Sequence, residues 1–262
     1  MTSYTRLVSD LRAQADGGFC GSIPESWMQG RTTYGGLTAA LCLEAARRIV
    51  ADIPLRSAQI AFVGPVGGDV ELHPVLLRRG KNAAFVRVDL SHDDQVLAQC
   101  IFTFGLSRPS SLNVQRIKRP DVTELAQAEP FFKGPRRPNF THNFNVRLAA
   151  GEPPISGSTN NQLGLWLRHK DENAGNDAAS ILALADCAPP AALPMLTGDA
   201  RASSMTWMAE FLTDQPSTDE GWWLSLSTAE TAVDGYSSQS MCMWNKAGEP
   251  TLIGRQTVAI FS

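Results

Sequence analysis

A chain of 262 residues is long for one compact domain and comfortable for two of ordinary size. Its hydrophobic residues (43%) suffice for a sizeable core, and a net charge of −3 argues against a nucleic-acid surface, which needs a basic excess. Five widely spaced cysteines without a CxxC, and four histidines without HxxxH or HExxH, argue against a disulfide framework and a metal site.

Residues 2 to 15 read as a short amphipathic helix or an arm, with no apolar run of a secretory signal, so a soluble cytoplasmic protein is expected. Thr32 or Thr33 is a candidate helix opener. Tyr34-Gly35-Gly36 leads into LTAALCLEAARRIVAD, with Leu37, Ala40, Leu41 and Ala45 near helical spacing and Glu44–Arg48 as an outer-face i,i+4 pair. Ile53-Pro54 ends the helix. Extended segments follow: RSAQIAFVGPV, DVELHPVLLRRG, and NAAFVRVDLSHDDQVLAQCIFTFG with a hairpin turn at Asp93-Asp94. From Leu106 to Asn139 the composition shifts to Arg, Pro, Ser and Lys, which predicts a connector wrapping the surface. NFNVRLAAG and LGLWLRH then read as strands.

The second half repeats this order: a helix over Ser180–Pro189, then strands at Met205–Leu212, Trp222–Ala229, Ser237–Trp244 and Leu252–Phe261. AFVGPVGGD is echoed by EFLTDQPSTDE, and QCIFTF by QTVAIF. One unit is a long helix plus a curved antiparallel sheet, so the class is α+β, twice. The expected division is 1–107, a connector at 108–140, and 141–262.

Asp186, in ILALADCAPPAA, is the only charged residue between Asp177 and Asp199. The stretch is too short, and too broken by Pro189 and Pro190, to span a membrane. An isolated carboxylate there is either an exposed Asp on one turn of a buried helix or a catalytic group at a pocket wall, with its pKa raised by desolvation.

With these segments in place, the chain resembles the double-hotdog acyl-CoA thioesterase II family. The resemblance rests on YGGLTAA, PLRSAQIAFVGPV and LLRRGKNAAFVRV in the first half. In the second it rests on LALADCAPPAALP, SSMTWMAEF and GRQTVAIF. It implies a tandem hotdog fold, two antiparallel sheets each wrapped around a central helix, with edge-to-edge pairing of the halves and dimerisation of chains. It also implies hydrolysis of an acyl-CoA substrate by a water molecule, with neither cofactor nor metal and no membrane or nucleic-acid partner. By this resemblance Asp186 and Gln256 hold that water together with a hydroxyl, which falls on Ser204 or on Thr206. As residues i and i+2 of a strand, these two share a face, so the choice stays open. Gly35 and Gly36 would let the backbone approach the substrate and supply N–H donors at a helix N-terminus. Leu37 stands where close relatives carry Gln, and Thr206-Trp207 where they often carry Asp-His.

Two other readings compete: a catalytically silent double-hotdog protein that binds acyl thioesters, and a hotdog hydratase. The hydratase needs an Asp–His pair, and the histidine nearest Asp186 in sequence, His169, falls on a predicted strand. The first half offers only Glu44 near the place matching Asp186, which predicts one site per chain, in the second half.

Overall fold

A computed structural model describes residues 2–135 and 137–261. The first half comprises α1 (Tyr4–Ser9), β1 (Arg12–Ala13), β2 (Phe19–Ile23), β3 (Met28–Gln29), β4 (Thr32–Thr33) and α2 (Gly35–Arg47). It continues with β5 (Leu55–Phe62), β6 (Gly68–Arg79), β7 (Ala83–His92) and β8 (Gln95–Gly105). The second half comprises β9 (Phe144–Ala150), β10 (Gln162–His169), α3 (Ala178–Ala185), β11 (Arg201–Phe211), β12 (Trp223–Val233), β13 (Tyr236–Asn245) and β14 (Pro250–Phe261).

Twelve strands form one continuous antiparallel sheet in the order β1-β2-β6-β7-β8-β5-β11-β14-β13-β12-β10-β9. The two expected sheets are therefore joined. β5 pairs with β11, placing Ile60 opposite Trp207 and Ala58 opposite Ala209, so neither leaves an unpaired edge at the centre.

Helices α2 and α3 are apolar on nearly all sides, the pattern of buried helices. They run antiparallel, since Gly35 at the start of α2 meets Asp186 at the end of α3 and Arg47 at the end of α2 meets Asp177 at the start of α3. The sheet turns Val86, Val88, Cys100 and Phe102 to the core, all fully buried. Its hairpins turn at Asp93-Asp94, as expected, and at Asp234-Gly235, with positive φ at all four residues, as twisted two-residue hairpins require.

Three local expectations are corrected. Thr32 and Thr33 do not open α2; they form β4, where the Thr33 N–H donates to the Val66 carbonyl at 2.6 Å, and Tyr34 is the N-cap. Glu44 pairs with Arg47 at 3.0 Å rather than with Arg48, which lies beyond the last helical residue and sits over the Phe19 ring. α3 stops at Ala185, well short of Pro189.

The connector covers the outer face of the second half's sheet. Ile117, Val122, Leu125 and Ala128 pack on Trp166, Trp222, Leu224 and Trp244, and the Trp166 indole N–H donates to the Thr123 carbonyl at 2.9 Å.

Candidate active site

Asp186 is the C-cap of α3 and lies on the wall of a cleft of about 1050 Å³. Thr33, Gly35, Phe62, Arg201 and Ser204 also line this cleft. It is bounded by the start of α2, the end of β5 and the start of β11, so both halves contribute.

The carboxylate is held from behind by the sheet. The Gln256 amide on β14 donates to Asp186 Oδ1 at 2.5 Å, its one side-chain hydrogen-bond partner among the described residues. Burial among apolar groups raises the Asp186 pKa to about 7, and the Gln256 hydrogen bond and the Gly36 backbone N–H oppose that rise. An Asp poised near neutrality can take a proton from water and return it, which an ordinary surface Asp does poorly.

Gly35 lies against this carboxylate. A Cβ there would stand 2.7 Å from Asp186 Oδ2 and 3.0 Å from the Phe62 ring. At Gly36 a Cβ would meet the Tyr34 ring and hydroxyl, 2.7 Å away. Both glycines are required by close approach rather than by a positive φ. In the first turn of α2 the N–H groups of Leu37 and Thr38 bond to the Tyr34 carbonyl, while that of Gly36 is directed at Asp186.

The two candidate hydroxyls do not share a face. A bulge between Ser204 and Thr206 shifts the register with β14, so that Ser204 opposes Val258 and Thr206 opposes Thr257. The extra residue reverses the alternation at that point. Ser204 joins buried Trp207 and Val258 on the inner face and lines the cleft. Thr206 turns outward and is exposed. No pattern in the sequence announces this bulge, so the strict alternation of a regular strand does not hold across Met205.

The structure thus brings together Asp186, Gln256, Ser204, Gly35 and Gly36 and leaves Thr206 outside. Gln256 is buried behind the carboxylate rather than on the cleft wall. Sequence reasoning missed Gln239, whose amide donates to Gln256 Oε1 at 2.8 Å. The available signal was the alternation in SSQSM, which places Gln239 on the same inward face as Met241 and Met243. His169 bonds the Ser180 carbonyl near the opposite end of α3, which leaves Asp186 without a histidine partner. Among the described residues no cluster of His, Cys, Asp or Glu is suited to a metal ion, and no helix is long and apolar enough to cross a membrane.

Solved structures share this architecture. A protein of unknown function with a hotdog fold from Alicyclobacillus acidocaldarius is 20% identical, with a TM-score of 0.88 over 100% of this chain and 99% of that one. An acyl-CoA thioesterase II from Mycobacterium marinum is 16% identical, with a TM-score of 0.77 over 97% and 96% of the two chains. A 12:0-ACP thioesterase from Umbellularia californica is 10% identical, with a TM-score of 0.51 over 93% and 94%. The chain therefore has a hotdog fold. Residues 23–105 match the sequence profile of the acyl-CoA thioesterase N-terminal domain, and residues 120–260 that of the C-terminal domain. The chain belongs to the acyl-CoA thioesterase family and is a thioester hydrolase. Curated protein sequences contain no match to it.

Proposed function

We propose that the chain is a tandem double-hotdog enzyme that hydrolyses acyl-CoA to a free fatty acid and CoA at a single site, with Asp186 as general base. The observation that carries this reading is the Asp186 carboxylate, desolvated to a pKa of about 7 and held by Gln256 at the wall of a large cleft. A carboxylate with that pKa matches general-base chemistry at neutral pH.

Asp186 accepts a proton from a water molecule in the cleft as the water oxygen bonds to the thioester carbonyl carbon. The developing oxyanion is received by the Gly35 N–H, the one first-turn N–H of α2 not engaged with Tyr34 or Asp186 among the described residues, aided by the positive end of the helix dipole. The tetrahedral intermediate collapses, the C–S bond breaks, and the departing CoA sulfur takes the proton back from Asp186. Ser204, on the cleft wall, orients the water with its hydroxyl. Gln256 acts through Asp186, because its amide nitrogen is engaged with the carboxylate and its oxygen with Gln239.

The test is thiol release from a panel of acyl-CoAs of increasing chain length, for the parent and for Asp186→Asn. Turnover on some chain length that collapses in the variant is expected. Turnover that survives Asp186→Asn moves the site elsewhere. Tight acyl-CoA binding without turnover in the parent would instead establish a silent binding protein.

A further inference from the structure

Three hydrogen bonds in series end on Asp186, and their direction is fixed at the far end. The backbone N–H of Ala191 donates to Gln239 Oε1 at 2.8 Å. Gln239 Nε2 donates to Gln256 Oε1 at 2.8 Å, and Gln256 Nε2 donates to Asp186 Oδ1 at 2.5 Å. A side-chain amide can turn end for end, but a backbone N–H can only donate. Ala191 therefore draws the oxygen of Gln239. That leaves the Gln239 nitrogen for Gln256, whose oxygen must accept it. The Gln256 nitrogen is then the end turned to the carboxylate.

Gln239 and Gln256 face each other in the β13–β14 register and are 1% and 3% exposed, so water does not substitute for either partner. Each would cost stability if left unpaired. The counterpart strands of the first half, β7 and β8, turn only Val86, Val88, Cys100 and Phe102 inward at their centres. A buried pair of amides is thus not a demand of the sheet.

We propose that Gln239 is a positioning residue for the hydrolysis: anchored by the Ala191 N–H, it holds Gln256 in the orientation that presents N–H, not carbonyl, to Asp186. The proposal rests on Asp186 being the base. Without Gln239 the Gln256 amide is free to turn its oxygen toward the carboxylate, which would penalise the charged, active form. The other titratable groups around Asp186 are Tyr34, before α2, and Cys187, beside it in the chain; burial pushes both further toward their neutral forms. Asp199, Arg31 and Arg201 line the same cleft. These groups stay in place when Gln239 becomes Leu, so a change in the acid limb of that variant reports the amide chain, whereas Gln239→Glu also adds a buried charge that moves the limb the same way.

The experiment is the pH dependence of kcat/KM for thiol release in Gln239→Glu and Gln239→Leu, beside Gln256→Leu and the double variant Gln239→Leu/Gln256→Leu. A Glu at 239 still accepts from Ala191 but can no longer donate to Gln256, so it favours the reversed amide. The acid limb is expected to move up by about one pH unit in both single Gln239 variants, the size of shift one hydrogen bond to a carboxylate produces. KM should stay near the parent value. In the Gln256→Leu background, Gln239→Leu should add no further shift. An unmoved limb in folded Gln239 variants, or an additive double variant, overturns the positioning role while leaving Asp186 as base. If Asp186→Asn keeps its turnover, the base itself is elsewhere and the proposal falls with it. Should Gln239→Glu fail to fold, Gln239→Leu and the double variant still decide.

Discussion

The paired helices meet at two junctions that are opposites in chemistry. At one, the start of α2 meets the end of α3: Gly35 and Gly36 face Asp186, a carboxylate with an amide partner and a pKa of about 7. At the other, the end of α2 meets the start of α3. There Asp177 caps α3 by accepting from Ala179 and Ser180 at 2.9 and 3.2 Å, and Arg47 bridges it to Glu44 at 3.2 and 3.0 Å. The C-cap of α2 is Arg48, exposed, where the C-cap of α3 is the acid. The second junction is also closed by α1. Thr5 donates twice to Asp171 at 2.8 and 2.7 Å, and Tyr4 is buried against His169 with ring centroids 5.3 Å apart. One helix pair thus carries a lone desolvated carboxylate at one end and carboxylates tied to Arg47 at the other, where burial still pushes the Glu44 pKa up and Arg47 opposes that rise. The first arrangement costs stability and leaves a base facing the cleft; at the second the acids are engaged by Arg47 and by the cap of α3.

The largest test of this contrast is activity. Asp186→Asn should lower kcat by about 10²–10⁴-fold, the usual worth of a general base. Asp177→Asn, at the other junction, should leave kcat within about twofold, since Asn also caps helices. In the parent, kcat/KM should climb with pH through an apparent pKa near 7. A flat profile with full activity at pH 5 would show that the ionised carboxylate is not required.

Next is the close approach at Gly35. Gly35→Ala adds a methyl where Asp186 Oδ2 stands 2.7 Å and the Phe62 ring 3.0 Å away, so the carboxylate must swing off Gln256. An activity loss of about 10- to 100-fold is expected, consistent with small misplacements of a reacting group. The fold should be retained, because the atoms that the methyl meets are the far ends of side chains rather than backbone. A variant that is both folded and fully active would mean that the carboxylate has room the structure does not show. Ser204→Ala should cost activity while Thr206→Ala does not, since only Ser204 lines the cleft.

How much of this was legible in the sequence follows from the kind of signal each feature leaves. Asp186 stood out because burial of a lone carboxylate among Ile, Leu and Ala is costly and shows as a break in composition. The hairpin turn at Asp93-Asp94 was visible because Asp tolerates a positive φ. The repeated order of one helix followed by antiparallel strands was legible from the periodicity of each segment. The bulge in β11 was not legible: one inserted residue leaves no mark in RASSMTWMAEF, yet it separates Ser204 from Thr206. The union of the two halves into one sheet depends on β5 meeting β11, a contact between segments about 150 residues apart on which local periodicity is silent. Gln239 was hidden for a related reason, since a polar residue on a strand reads as solvent-facing until the register turns it inward.

Stability against pH separates the two junctions by sign. The native state keeps the Asp186 proton up to a pKa of about 7, while an unfolded Asp releases it near 3.8. Between these values the folded chain binds more protons than the unfolded one, so this residue makes stability fall as pH rises, and the full cost is present above pH 7. Asp186→Asn removes that cost. It should be more stable than the parent at pH 8 by a few kcal/mol, on the order of the shift at about 1.4 kcal/mol per unit, less what solvent at the cleft screens. The advantage should shrink progressively toward pH 4. Denaturant melts at both pH values measure it, and equal stability at pH 8 would mean that the carboxylate is not desolvated.

The smallest effect lies at the other junction. Asp177→Ala removes the acceptor of two N–H groups at the start of α3 and the partner of Arg47. Losing an N-cap costs about 1 kcal/mol, and a half-exposed ion pair adds at most a fraction of that. For a chain of this size the melting temperature should fall by about 2–4 °C. The cap orients the N-terminal end of α3, and Asp186 sits at the opposite end with its position set by β14 and the glycines of α2. The acid limb of the pH profile should therefore stay where it is. A shift in that limb from Asp177→Ala would mean that α3 transmits strain along its length, and that the two junctions work as one unit.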